Sequence, residues 1–231
     1  MAQLRFEPIL NIGAWVAEFQ DAVRAEFPGY EQAEVQLHHV DVGSGSVHSR
    51  NMKQHRFVAR ATPSVAILDE QSVAVEFRAH EQRDQLFRDW KLVFAALTDA
   101  CKSIAPTRLG LRYVNVIDKQ RIASDLGRPV EWPDVVATDF LRLPAELADL
   151  EGTRFGMELA SSMPLGAMTL RYGLLPTVTG SIAFRYDIDR YRESPMPLDE
   201  VYSNLGLFAD DVYRAFAPIQ TPVLTEWMQR T

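Results

Sequence analysis

Apolar residues recur along this chain in two rhythms. From Ala14 to Phe27 the positions Trp15, Val16, Phe19, Val23 and Phe27 fall three and four apart, the period of a helix with one buried face, and Pro28-Gly29 ends it. A longer stripe, Leu86, Trp90, Val93, Leu97, Cys101 and Ile104, predicts a second helix from Glu81 to Ile104, closed by Pro106. A shorter helix is expected over Val135 to Leu150, with a break at Pro144, and a last one from Leu198 to Ile219. Between them, β-branched and aromatic residues alternate with polar ones in short runs. Leu4 to Leu10 reads as a strand, with Pro8 marking an edge or a bulge. Further strands are expected at Val35–Val42, Phe57–Ala61, Val65–Leu68, Ser72–Arg78, Leu109–Asp118, Arg154–Ala160, Met168–Leu175 and Ser181–Ile188. Residues 43 to 56, "GSGSVHSRNMKQHR", are polar and hold two glycines, so they read as a long loop. Residues 119 to 134, with Gly127, Pro129 and Pro133, read as a polar connection.

The order of elements nearly restarts at mid-chain. Leu4-Arg5-Phe6 is matched by Leu111-Arg112-Tyr113, and "SVAVEF" at Ser72 by "SIAFRY" at Ser181. Shifting the long stripe by 115 residues lands it on Val201, Leu205, Phe208, Val212, Phe216 and Ile219, all apolar. Any two amphipathic helices share a stripe at some offset, so the weight lies in three matches falling in one order. The predicted class is therefore α+β, built from two similar β-α-β(3–4)-α halves, residues 1–107 and 108–231. Each half would lay a long helix on an antiparallel sheet, in a helix-grip-like or TBP-like pseudo-duplication, and the two would form one compact unit.

Composition narrows the function classes. With 47% hydrophobic and 24% charged residues among 231, the chain can bury a sizeable core. Its formal charge of −7 disfavours general nucleic-acid binding, which rewards clustered Lys and Arg, without excluding a local basic patch. One cysteine, Cys101, rules out an intramolecular disulfide and a cysteine-based zinc site; on an apolar stripe it reads as a small buried hydrophobe. No charged leader followed by an apolar run opens the sequence, and no stretch approaches the roughly 18 apolar residues of a membrane span. These features point to a cytoplasmic protein with no membrane partner.

The stretches "RFEPIL", "GLRYVNVID", "FRYDID" and "AFAPIQT" together resemble a sporadically distributed, functionally uncharacterised bacterial protein family with a central GLRYxNxI strand. The resemblance spans most of the chain and is loosest over residues 119–152. It implies a bacterial, single-chain, cytoplasmic protein. It transfers no site, because the family has no recognised catalytic residues.

Several places could carry chemistry. In "RYDIDRYRE", residues 185–193, a strand would put Arg185, Asp187 and Asp189 on one face, with Tyr186 opposite. Two carboxylates so placed could flank a metal or act as an acid/base pair; the plainer reading is a solvated face on which Arg185 and Arg190 pair the acids. Arg50, Lys53 and Arg56 in the expected loop form a local positive patch that could meet phosphate, RNA or an acidic partner. Arg5, Arg112, Arg171 and Arg185 each lie in a strand beside an aromatic residue, and several on one face would make a cationic sheet surface. Tyr113, Asn115, Tyr172 and Tyr186 are candidate lining residues of a groove between helix and sheet. At the C-terminus Tyr202, Phe208, Tyr213, Trp227 and Met228 mark either a partner surface or a segment tucked onto the core. The five histidines match no metal-ligand spacing, and no nucleophile-elbow, phosphate-loop or dinucleotide-binding motif is present. No cofactor and no catalytic residue is assigned.

The expected function is a non-catalytic binding protein that recognises a protein partner in a bacterial cytoplasmic complex. The alternatives are a small-molecule binder or enzyme using a helix–sheet groove, and nucleic-acid binding through residues 48–56. A homo-oligomer is compatible with each.

Overall fold

The structure, a computed structural model, describes residues 1–41, 46–77, 83–142, 154–177 and 180–230, and at 37–41, 46–48 and 50 the backbone alone. The protein is α+β, with a large antiparallel sheet and several helices. Its chain divides into two compact units, Met1–Leu111 with Arg192–Leu205, and Arg112–Tyr191 with Gly206–Thr231.

The first unit holds strands β1 (Ala2–Phe6), β2 (Gly29–Asp41), β3 (Ser46–Val58), β4 (Ser64–Asp69), β5 (Ser72–Phe77) and the start of β6 (Pro106–Ile117). They are hydrogen-bonded in the order β2-β3-β4-β5-β1-β6. Helices α1 (Val16–Val23) and α2 (Arg83–Ala100) pack on each other, and α2 on β5. The apolar stripes go inward as their spacing requires: Phe19 and Val23 of α1, Trp90, Val93 and Leu97 of α2, and Leu4, Val73 and Val75 of the strands are all buried. β1 is no edge strand. It lies between β5 and β6, stops at Phe6 with a register shift after Arg5, and leaves Pro8 beyond its end. Pro8 therefore removes no donor from the ladder.

The expected loop at 43–56 is corrected. Residues 46–58 are strand β3, paired over its whole length with β2 in a long hairpin. Its alternation is diluted because both faces carry contacts: Met52 is buried on one, His55 and Phe57 on the other. The pairing brings opposite charges face to face, Glu34 opposite Lys53 and Glu31 opposite Arg56, which stabilises a polar hairpin without an apolar run.

The second unit holds the rest of β6 with β7 (Phe155–Met163), β8 (Gly166–Pro176) and β9 (Ile182–Glu193), in the order β6-β9-β8-β7. Its helices are α3 (Lys119–Leu126), α4 (Trp132–Val135), the latter part of α5 (Glu200–Phe216) and α6 (Pro222–Met228). Phe184, Tyr186 and Ile188 of β9 and Phe208 and Val212 of α5 form the buried core. The connection expected at 119–134 contains α3. The Asp118 carboxylate caps its start by accepting from the amides of Gln120 and Arg121, and Gly127 ends it at φ 66°. The helix expected at 135–150 is not an α-helix over 136–142, where α4 has ended at Val135 and a 3-10 turn spans Thr138–Phe140; residues 143–150 lie outside the described residues. The C-terminal segment tucks inward: the Trp227 indole donates to Asp125 at 2.8 Å, the Thr221 hydroxyl to the Asp134 carbonyl at 2.6 Å, and Leu224 is buried. Among the described residues no helix is long and apolar enough to cross a membrane.

Candidate functional site

In the second unit the strand alternation sends Phe184, Tyr186, Ile188 and Arg190 of β9 to one face and Arg185, Asp187 and Asp189 to the other. The core face is closed. Tyr186 is fully buried, its hydroxyl donates to the Ala215 carbonyl at 2.6 Å, and its ring meets Phe140, Tyr172 and Phe216 with centroids 5.8, 6.1 and 5.9 Å away. Burial, with Tyr172 beside it, pushes the Tyr186 phenol up to about 12. Of Tyr113, Asn115, Tyr172 and Tyr186, expected to line a helix–sheet groove, the rings of Tyr172 and Tyr186 pack against each other. Tyr113 and Asn115 are half-buried and follow the buried Leu111 on the same side of β6.

The opposite face carries the candidate site. Arg112 of β6 grips Asp187 of β9 with both prongs of its guanidinium, Nε to Oδ1 at 2.8 Å and Nη2 to Oδ2 at 2.7 Å. Arg185 adds a third bond, Nη2 to Oδ2 at 3.0 Å. Asp187 is 2% exposed although it points away from the core, because the two guanidiniums cover it. Burial pushes its carboxyl up, but the bonds and charges of Arg112 and Arg185 outweigh this and hold it below its ordinary value. The same hydrogen bonding raises Arg112. On β8, Arg171 stands opposite Asp187 and pairs with Glu158 of β7 at 2.5 Å.

These side chains line a cleft of about 490 Å³, together with Gly156, Met157, Tyr172 and Leu175. Its floor is set by strand register. Gly156 of β7 stands opposite Gly173 of β8, which stands opposite Arg185 of β9, so two residues without side chains leave a trough from the sheet edge to Arg185. Gly173 has no substitute there, since a Cβ would collide with the Phe155 carbonyl oxygen, whereas a Cβ on Gly156 meets nothing within 4 Å. Three guanidiniums and two carboxylates line the cleft, a positive excess of one at its wall, while Asp189 acts on Arg112 from beyond the lining. Planar forks already aligned by a buried carboxylate are suited to bind a second carboxylate or a phosphate.

The remaining sequence candidates are dispersed. Asp189 continues the face beyond Asp187, opposite the buried Thr169. Arg190, expected to pair the acids of β9, lies on the core face and binds Asp211 instead. The positive loop is a strand in which Arg50 and Lys53 stand opposite Leu37 and Glu34, and Arg56 makes an ion pair with Glu76 at 3.5 Å. His55 is buried and bonded to the Tyr30 hydroxyl at 2.9 Å. Among the described residues no group of three histidine, cysteine or carboxylate side chains could hold a metal ion. Of the four strand arginines, Arg112, Arg171 and Arg185 share the cleft; Arg5 belongs to the other unit, where it donates to Gln3. Gly156, Gly173 and Glu158 were not singled out in the sequence, because only hairpin register brings them to the site.

No protein-family model, curated protein or solved structure matches the chain.

Proposed function

We propose that this is a non-catalytic binding protein that recognises a protein partner through the arginine-bearing sheet face of its second unit. The observation that carries the reading is the Arg112–Asp187–Arg185 cluster. The one buried carboxylate on the face is committed to three charge-assisted hydrogen bonds, which suits it to orient cations and not to shuttle a proton. Exposed apolar residues flank the cluster: Val114 is 47% and Val116 55% exposed, on the same side of β6 as Arg112. Arginine with apolar neighbours is the composition of protein-recognition surfaces.

The scaffold also supports an internal duplication. Each half opens with a strand, β1 or β6, whose neighbour in the order is the last strand before a long helix, β5 or β9. Eleven of the twelve matched stripe positions on and just beyond the two long helices are buried, the exception being Phe216. Arg5 matches Arg112, but Glu76 stands where Arg185 does, so the cationic cleft belongs to one half alone.

A photo-crosslinking residue at Val114, compared with one at the 83% exposed Leu10 of the other unit, tests the reading in the protein's own cells. One polypeptide captured at position 114 and not at 10 is expected. Equal capture at both, or none at either, overturns it. A second reading, a small anionic ligand, is favoured by the cleft volume, which lies in the range of small-molecule sites. A thermal-shift screen of mono- and dicarboxylates and phosphate esters separates the two.

A further inference from the structure

We infer that β7 is a docking edge, which takes an extended segment of the partner as an added antiparallel or parallel strand whose carboxylate side chain enters the Gly156–Gly173 trough toward Arg185. This rests on the reading above and names the partner's chemistry.

Three observations carry it. First, among the described residues β7 ends the strand order with β8 as its one neighbour, and every residue from Gly156 to Ser162 is exposed. A nine-residue edge so placed offers a row of unpaired backbone donors and acceptors. Secondly, the edge is unguarded. Natural edges are blunted by lysine, proline or bulges; "FGMELASSM" has none of these, its register with β8 is unbroken, and its single charge, Glu158, is neutralised by Arg171. Its partner across the chain, the β2 edge, carries Glu31, Glu34 and Asp41.

Thirdly, the two faces of the edge differ in a way that specifies a pattern. Met157 and Leu159 are each 48% exposed and stand opposite Tyr172 and Leu170, so they extend the apolar side of the sheet to its rim. On the other side Gly156 presents no side chain, and the cleft beyond it holds Arg171, Arg185 and Arg112. A strand laid along β7 would bury apolar residues on the first face and send the alternate residues to the second. There an acidic side chain is the complement to the positive excess. The occupant is therefore a segment in which apolar and acidic residues alternate. Main-chain bonds would supply the affinity and the trough the specificity.

The test is fluorescence anisotropy of the full-length protein with a labelled nine-residue peptide alternating glutamate and valine. Saturable binding is expected, weakened at least tenfold when every second peptide amide is N-methylated, and at least tenfold by Gly156→Leu or by Arg185→Gln. Circular dichroism and a thermal melt establish that each variant is folded. Equal binding of the N-methylated peptide overturns the edge pairing and leaves the crosslinking result at Val114 to judge the face itself. Binding of a lysine–valine peptide as tight as that of the glutamate–valine peptide overturns the role of the trough. No saturable binding by either peptide, or a dimer that Leu159→Lys dissociates in sedimentation, overturns the assignment of the edge to an acidic partner.

Discussion

Arg190 of β9 is 1% exposed and places its Nε 2.9 Å from the Asp211 carboxylate of α5. Its guanidinium lies 4.3 Å from the centroid of the Phe208 ring, and its remaining N–H groups donate to the carbonyls of Pro164, Leu165, Ala167 and Tyr191. One buried cation thus ties the β7–β8 turn to a helix and binds four backbone acceptors. The turn it holds includes Leu165 at φ 60°, a conformation that costs a non-glycine residue energy and persists because its surroundings over-determine it.

Removing that cation is predicted to be severe. Arg190→Met should lower the unfolding free energy by about 3–5 kcal/mol, because Asp211 and four carbonyls lose their donor. Adding Asp211→Asn should recover part of the loss, since no carboxylate is then left without its partner. Urea denaturation of the two single variants and the double variant measures the coupling; strictly additive losses would refute the dependence.

Asp187 makes a pH prediction. Its folded pKa lies below the ordinary carboxylate value, so the native state binds fewer protons than the unfolded chain between the two values. Its contribution is therefore fully present above about pH 4 and is lost as the pH falls through the folded pKa. Stability of the wild type should fall steeply on acidification below pH 4, and Asp187→Asn should flatten that fall. A variant with the wild-type slope would mean that Asp187 is not the group responsible.

The two trough glycines should behave oppositely. Gly173→Ala forces a Cβ against the Phe155 carbonyl and is predicted to cost roughly 1–3 kcal/mol. Gly156→Ala has open space and should lie within about 0.5 kcal/mol of wild type. Thermal melts of both variants decide it, and similar losses would contradict the register described for β7 and β8.

Cys101 is buried, and burial with Glu18 nearby pushes its thiol up to about 11. Its reaction with a thiol-specific disulfide reagent at pH 8 should be negligible in the native protein and complete in denaturant. Rapid native labelling would place the thiol at the surface.

What was legible in the sequence follows from how local each signal is. The stripes of α2 and α5 and the alternation of β5 and β9 are written in contiguous residues, and they emerged with the expected faces inward. The face shared by Arg185, Asp187 and Asp189 came from strand period alone. β3 was missed because its stability comes from cross-strand partners, Glu31 and Glu34 on β2, that no window on residues 43–56 contains. The helix α3 was hidden by flanking prolines and glycine, although Asp118 and Gly127 were its cap signals. The trough could not be read at all: Gly156, Gly173 and Arg185 meet only through the registers of two hairpins. Arg112 finds Asp187 across 75 residues of sequence.

The arginine face is tested most directly by native mass spectrometry of the wild-type protein and an Arg171→Glu/Arg185→Glu variant, each purified gently from the protein's own cells. A polypeptide bound at fixed stoichiometry to the wild type and absent from the folded variant is the predicted result. A polypeptide retained unchanged by the variant, or a small adduct of reproducible mass in place of any polypeptide, would contradict recognition of a protein partner through this face.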